Sequence, residues 1–368
     1  MSTIKRILVV STLLRGHGGM ETAINHFVEG MKSRNISVKI IFLGKLKKEK
    51  HSFNWCEGLD YKILLPSYPF NDLLRNQIET VRLKKIIESW KPDVTVALNN
   101  SALDRLAKAR SIIKTQFPIY SWIHFSLKIL RKIKTITKAD FHLAISSGIR
   151  EELISELHIS PERIHTVWNP FIKTEFLIER DPSKSNFLFM GRLAEQKDPE
   201  KLIRSFSEIP GHWILHIIGD GGMKSHLCQL AKELNIDQKI IWHGWQRCPW
   251  EYVRDKIGKI TCFVMTSKNE GFPMVLVEAL SHGIFCISTD CPTGPRDVIS
   301  SKNGILVSMD SNRGVIEAIE YVIQNRLPSS NEVAESVEKF RLENYTDNML
   351  DFLTKTKKSF ILTRDEKA

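Results

Sequence analysis

Twelve short apolar runs recur along the whole chain, separated by polar turns and stretches of helical spacing. They cover residues 6–12, 38–43, 94–98, 119–122, 142–145 and 164–168, then 187–190, 213–218, 239–242, 260–266, 285–289 and 305–307. They are rich in Val, Ile, Leu and Phe without polar alternation, as in strands buried on both faces of a parallel sheet. Between them lie helical patterns. Ile78, Val81, Ile86 and Trp90 fall near helical spacing over 76–90, and Ser146-Ser147 are capping residues for a helix running to Leu157. Alternating strand and helix predicts an α/β protein whose parallel sheets are covered by helices.

The stretch Asp181-Pro182-Ser183-Lys184-Ser185 reads as a linker between two such arrays. The expectation is two Rossmann-like, doubly wound domains facing across a cleft, over 1–180 and 181–344. A helical tail is expected over 331 to about 362, and residues 345–368 are expected to form a C-terminal helix returning to the first domain. Ligands of such sheets bind beyond the carboxyl ends of the strands.

Composition removes other classes. Of 368 residues, 42% are hydrophobic and 26% charged, too apolar for a disordered chain. No run reaches the roughly 18 apolar residues of a membrane span. The apolar start after Lys5-Arg6 is broken by Ser11-Thr12 and lacks a cleavage site, so it reads as a buried strand of a cytoplasmic protein. Cysteines 56, 228, 248, 262, 286 and 291 form no Cys-x-x-Cys or zinc spacing and read as reduced thiols. The net charge of +11 is one-sided: residues 1–180 hold 29 Lys and Arg against 17 Asp and Glu, the remainder 24 against 25. The first half therefore suits an anionic partner, whether nucleic acid, membrane surface or acidic substrate, or simply carries a solvated basic face.

Four segments carry chemistry. Gly16-His17-Gly18-Gly19-Met20-Glu21 follows the first strand, where glycines let backbone N–H groups approach a phosphate. Glu21 replaces the third glycine of a dinucleotide fingerprint, so a nicotinamide dehydrogenase is disfavoured. Gly191-Arg192-Leu193-Ala194-Glu195-Gln196-Lys197 places two cations beyond a strand end, suited to a pyrophosphate. Glu270-Gly271-Phe272-Pro273-Met274 with Glu278 opens a helix. Pro273 suits its first turn, the N–H groups of Phe272 to Met274 would face phosphates, and the two carboxylates can accept hydrogen bonds from sugar hydroxyls. His124 follows the strand at 119–122, a catalytic candidate or a structural histidine.

Taken together with Asn169-Pro170, Gly219-Asp220-Gly221 and Asn303-Gly304, these segments resemble the retaining glycosyltransferases of family 4, which have the GT-B fold. The resemblance covers nearly the whole chain. It implies that Arg192 and Lys197 bind the donor pyrophosphate and that Gly18 and Gly19 back it from the first domain. It also implies that Glu270 holds the donor hexose, Glu278 the ribose, and His124 lies beside the transferred sugar. Departure and attack on the same sugar face are implied as well. Residues 122–127, 139–148, Gly244-Trp245-Gln246 and Pro249-Trp250-Glu251 add a narrower likeness to the galactosyltransferases of the enteric lipopolysaccharide core. That likeness implies a UDP-galactose donor and a lipopolysaccharide core acceptor. Phe285, where the family has Pro, is expected to pack; Asp297, where many members have Glu, leaves the hexose open between galactose and glucose.

No cofactor is expected. No Asp-x-Asp occurs in the chain, so metal-independent transfer is predicted, with Arg192 and Lys197 neutralising the leaving phosphates. Other readings are a family 4 transferase of another polysaccharide, a UDP-sugar 2-epimerase, which lacks a convincing carboxylate set in the first half, and a nucleic-acid-binding protein, which lacks a recognisable module. Residues 128–138, read as a helix, would gather Lys128, Arg131, Lys132 and Lys138 on one side and Ile129, Ile133 and Ile136 on another. With Lys45, Lys47 and Lys48 they would dock the first domain on the anionic cytoplasmic face of the inner membrane.

Overall fold

The computed structural model describes residues 4–365 apart from 15–17, 47–52, 66, 68–70, 114–115, 182 and 312, and apart from the side chains of 363–365. Gly16, His17, Lys47, Lys48 and Pro182 therefore lie outside the described residues. The chain forms two compact units, Met1–Pro170 with Leu342–Ala368, and Phe171–Arg341.

The first unit holds seven strands: β1 (Arg6–Thr12), β2 (Ser37–Leu43), β3 (Tyr61–Ile63), β4 (Val94–Ala97), β5 (Ile119–Ile123), β6 (Phe141–Ala144) and β7 (Ile164–Thr166). All pair in parallel in the order β3-β2-β1-β4-β5-β6-β7. Helices α1 (Gly19–Ser33), α2 (Asp72–Trp90), α3 (Asn100–Ser111) and α4 (Ser147–Leu157) connect them. The predicted cap holds: the Ser146 hydroxyl accepts from Ile149 N–H. Ile7 to Val10, Val94 and Val96 are fully buried, as a strand covered on both faces must be.

The second unit holds β8 (Asn186–Met190), β9 (Ile214–Ile218), β10 (Ile240–Gly244), β11 (Cys262–Met265), β12 (Cys286–Thr289) and β13 (Gly304–Val307), parallel in the order β10-β9-β8-β11-β12-β13. Its helices are α5 (Pro199–Ser207), α6 (Lys224–Glu233), α7 (Pro249–Tyr252), α8 (Met274–Ser281), α9 (Pro295–Val298), α10 (Gly314–Gln324) and α11 (Ser330–Glu335). The chain then re-enters the first unit as α12 (Leu342–Asp365). There α12 lies so close to α1 that a Cβ on Gly30 would stand 2.1 Å from Thr346 Oγ1. Tyr120 Oη lies 2.7 Å from Thr356 Oγ1, and Lys357 pairs with Asp93 at 2.6 Å.

Four expectations change. Strand β3 carries no apolar run and is set by pairing with β2, as in Phe42↔Ile63. The division expected after Arg180 falls after Pro170, because Ile178 and Glu179 already bond to His282 and Ile260 of the second unit. The one expected at 344/345 falls after Arg341, where the helical tail is interrupted between α11 and α12 by a 3₁₀ turn, Glu338–Phe340. Residues 128–138 are not one helix but two 3₁₀ turns, Leu127–Ile129 and Ile133–Lys138, with Lys132 left-handed at φ 55° between them. The Asn100 side chain donates to the carbonyls of Arg131 and Lys132, holding the break open. Ile136 is buried but Ile129 is 56% exposed, so the isoleucines do not share a packed face.

Candidate functional site

Within each sheet the strand order reverses once, between β1 and β4 and between β8 and β11. Such reversals open a crevice at the carboxyl ends of the strands. In the second unit the β8–α5 and β11–α8 loops flank the reversal, and they carry Arg192, Lys197, Glu270 and, one turn into α8, Glu278.

These loops are bolted together by backbone bonds. Lys268 N–H donates to Gln196 O at 2.8 Å, and the Gln196 amide donates back to Asn269 O at 2.9 Å. The buried Thr266 hydroxyl donates to the carbonyls of Lys197 and Asp198, at 3.1 and 2.9 Å. Two glycines permit the close approach of neighbouring loops. Gly219 sits at φ +138°, where an added Cβ would lie 1.9 Å from Gly191 O. Gly294, at φ +94°, lies against Pro273 and Gly271, and the adjacent Thr293 hydroxyl donates to Glu270 O. The loop bearing Gly191 and Arg192 is thus wedged by Gly219-Asp220-Gly221, and the one bearing Glu270 by Thr293-Gly294.

The side chains follow. Lys197 Nζ pairs with Glu270 Oε1 at 2.6 Å, with side chains 19% and 8% exposed. Arg192 is exposed, and no carboxylate among the described residues lies within ion-pair distance of it. Trp250 of α7 donates its indole N–H to Glu278 Oε2 at 3.0 Å. Helix α8 begins at Met274, so Pro273 flanks it rather than entering its first turn, and a proline has no N–H to offer. The Leu276 and Val277 N–H groups donate to Pro273 O, which leaves Phe272, Met274 and Val275 as the candidate backbone donors of this turn. The Phe272 ring is buried against Phe340, centroids 5.3 Å apart, so its side chain packs while its backbone lines the loop.

In the first unit, Gly18 caps α1 with extended backbone and Gly19 opens it; both are exposed at the carboxyl end of β1. His124 follows β5, 6% exposed, with its ring 4.7 Å from that of Trp122 and no hydrogen-bond partner for Nε2 among the described residues. Burial pushes its pKa down to about 3, so the imidazole is neutral and can exchange a hydrogen bond but not supply a charge.

Other motif residues are structural. Asn303 bridges Ser300 N–H, Val298 O and Ser336 Oγ, and Gly304 permits contact with Cys286 O. Phe285 is buried, in keeping with packing. Asp297 lies on α9 beside Gly294, to whose carbonyl its N–H donates. Trp250 belongs to a motif singled out in the sequence but had no role there; only the fold brings it onto Glu278. No helix of the described residues is long and apolar enough to cross a membrane.

Comparison with known proteins follows this division. Residues 173–340 match the family described as Glycosyl transferases group 1, and residues 17–173 match Glycosyltransferase Family 4. The chain is 32% identical over 350 residues to the lipopolysaccharide 1,6-galactosyltransferase of Escherichia coli K12, covering 94% of this chain and 96% of the relative. It is 35% identical over 298 residues to the Salmonella typhimurium enzyme of the same name, covering 80% and 82%. The solved apo structure of the lipopolysaccharide outer core galactosyltransferase WaaB superposes with a TM-score of 0.88 at 31% identity, over 95% of this chain and 99% of that one.

Proposed function

Because the chain belongs to the family 4 glycosyltransferases of GT-B fold, we propose that it moves galactose from UDP-galactose to a sugar of the lipopolysaccharide core, with retention of configuration and without a metal ion. The observation that carries this reading is the convergence of Arg192, Lys197, Glu270 and Glu278 on the strand reversal of the second unit. Identity with two lipopolysaccharide galactosyltransferases over most of the chain supports the choice of acceptor and hexose.

Each residue has a task that its chemistry suits. UDP is a poor leaving group until its charge is met. Arg192 can grip phosphate oxygens bidentately, Lys197 adds a point charge, and the N-terminus of α8 adds backbone donors. Glu278 accepts from the ribose hydroxyls and Glu270 from the hexose. The family resemblance gives Gly18 and Gly19 to the donor phosphates and His124 to the transferred sugar; within the first unit both glycines are exposed at the carboxyl end of β1 and the His124 imidazole is neutral. With Glu270 engaged by Lys197, no carboxylate is assigned as a nucleophile, and departure and attack share one face.

The reading extends to location. Lys128, Arg131, Lys132 and Lys134 are exposed, and Phe125 and Ile129 beside them are 42% and 56% exposed. This mixed basic and apolar surface supports peripheral docking on an anionic cytoplasmic membrane face. Lys138 is drawn off it by its ion pair with Asp104.

The test is incubation with a panel of UDP- and GDP-sugars and truncated lipopolysaccharides, read by mass and by anomeric configuration, with and without EDTA. The expected result is one hexose added from UDP-galactose as the α-anomer, unaffected by EDTA. Transfer only from another donor, an inverted product, or rescue by Mn²⁺ after chelation refutes the corresponding part.

A further inference from the structure

We infer that Trp250 is a positioning residue for nucleotide binding, acting through Glu278; this rests on the assignment of Glu278 to the ribose. The inference starts from helix α8. Glu278 and His282 are four residues apart, so they share one face, and His282 N–H donates to Glu278 O at 3.1 Å. Trp250 meets both: its indole N–H donates to Glu278 Oε2 at 3.0 Å, and its ring lies 4.8 Å from the imidazole of His282.

The rings behind it are fixed in turn. A carbonyl can only accept, so the 3.1 Å contact to Phe176 O makes His282 Nδ1 the donor and sets the imidazole plane. The Phe176 ring also packs on His282, at 4.6 Å, and the Arg254 guanidinium covers Phe176 at 4.6 Å. The backbone carrying Trp250 is anchored next door by Tyr252, whose hydroxyl lies 3.1 Å from His243 Nδ1, and runs into a π-helical turn, Val253–Ile257. Trp250 itself is 9% exposed.

An indole N–H so held at a carboxylate fixes its rotamer. A carboxylate accepts at about four positions, so the bond is compatible with accepting sugar hydroxyls as well. Side chains on a helix lean toward its N-terminus, so a Glu278 locked by Trp250 is aimed at the carboxyl end of β11, where the phosphate-facing loop lies. Without the indole donor, Glu278 would lose a bond that holds its rotamer, part of its ordering would fall to the moment of binding, and nucleotide affinity would fall.

The experiment is a calorimetric cycle on the full chain, with UDP and 2′,3′-dideoxy-UDP as ligands and wild type, W250F, E278A and the double variant as proteins. W250F keeps the ring on His282 and removes the N–H. It is expected to weaken UDP about fivefold or more, since the lost bond is to a charged group. That penalty should vanish in the E278A background and toward 2′,3′-dideoxy-UDP, two outcomes that a merely structural role would not produce. UDP binding by W250F equal to wild type overturns the inference. So does a penalty that persists with E278A or with the dideoxy ligand. If E278A itself binds UDP like wild type, the ribose assignment fails and this inference with it. Should W250F not fold, W250M, which also lacks the donor, carries the same comparisons.

Discussion

Replacing Glu270 by Gln isolates the ion pair at the centre of the proposed site. In wild type the Glu270 carboxylate lies 2.6 Å from Lys197 Nζ and is 92% buried, so much of the lysine charge is already spent before a phosphate arrives. A phosphate oxygen bonded to the far side of that ammonium would sit roughly 5 Å from the carboxylate. With an effective dielectric of about 40, two unit charges at that distance repel by roughly 1.7 kcal/mol. Gln keeps the shape and an acceptor oxygen but removes this repulsion; part of the gain is lost because Lys197 is less firmly held. UDP should therefore bind about three- to tenfold tighter to E270Q, an effect that shrinks with added salt because the pair is not fully shielded from solvent. Turnover should move the other way, falling about tenfold or more, because an interaction with the hexose hydroxyls would lose its charge. Calorimetry with UDP at two ionic strengths gives the first number, and initial rates of the proposed hexosyl transfer give the second. Weaker UDP binding combined with unchanged turnover would falsify both the repulsion argument and the hexose assignment.

Three further outcomes are expected. Burial holds His124 and His142 at pKa values of about 3 and His216 at about 4, so all three fold neutral, and their contribution is complete above pH 6.5 and lost as pH falls toward those values. At pH 5.5 each costs roughly 1.4 kcal/mol relative to an unfolded pKa of about 6.5, about 3 kcal/mol for the first unit, and identical urea midpoints at pH 7.5 and 5.5 would contradict this. Gly219→Ala puts a Cβ against Gly191 O at φ +138°, so it should destabilise the second unit by about 2–4 kcal/mol and impair UDP binding; a wild-type melting profile would refute the wedge. Losing Lys128, Arg131 and Lys132 to Gln should reduce sedimentation with anionic vesicles by at least about tenfold at low salt and little at high salt, at roughly 1 kcal/mol per charge; equal binding by both proteins leaves a merely solvated basic loop.

Local pattern was enough for the strands and for several ends of elements. A strand covered on both faces is largely apolar, and apolar runs mark twelve of the thirteen, including the only partly buried edge strands β7 and β10. The Ser146 cap and the glycine-flanked cation loop were legible for the same reason: one residue's chemistry decides them, and its partner lies a few positions away. Strand β3 was not legible, because three half-exposed residues become a strand only when β2 offers an edge to pair with. Residues 128–138 have helical spacing, but Asn100, some thirty residues earlier, captures the carbonyls of Arg131 and Lys132, and Lys132 turns left-handed instead. The same divide runs through the site. Residue type and motif mark Arg192, Lys197, Glu270 and Glu278, while the Lys197–Glu270 pair spans 73 positions and the Trp250–Glu278 bond spans 28. Such distances are set by strand order, which depends on the free energy of packing whole helices and strands rather than on any local preference. The sequence determined which cationic and carboxylate groups this protein carries; the tertiary structure decided which of them touch.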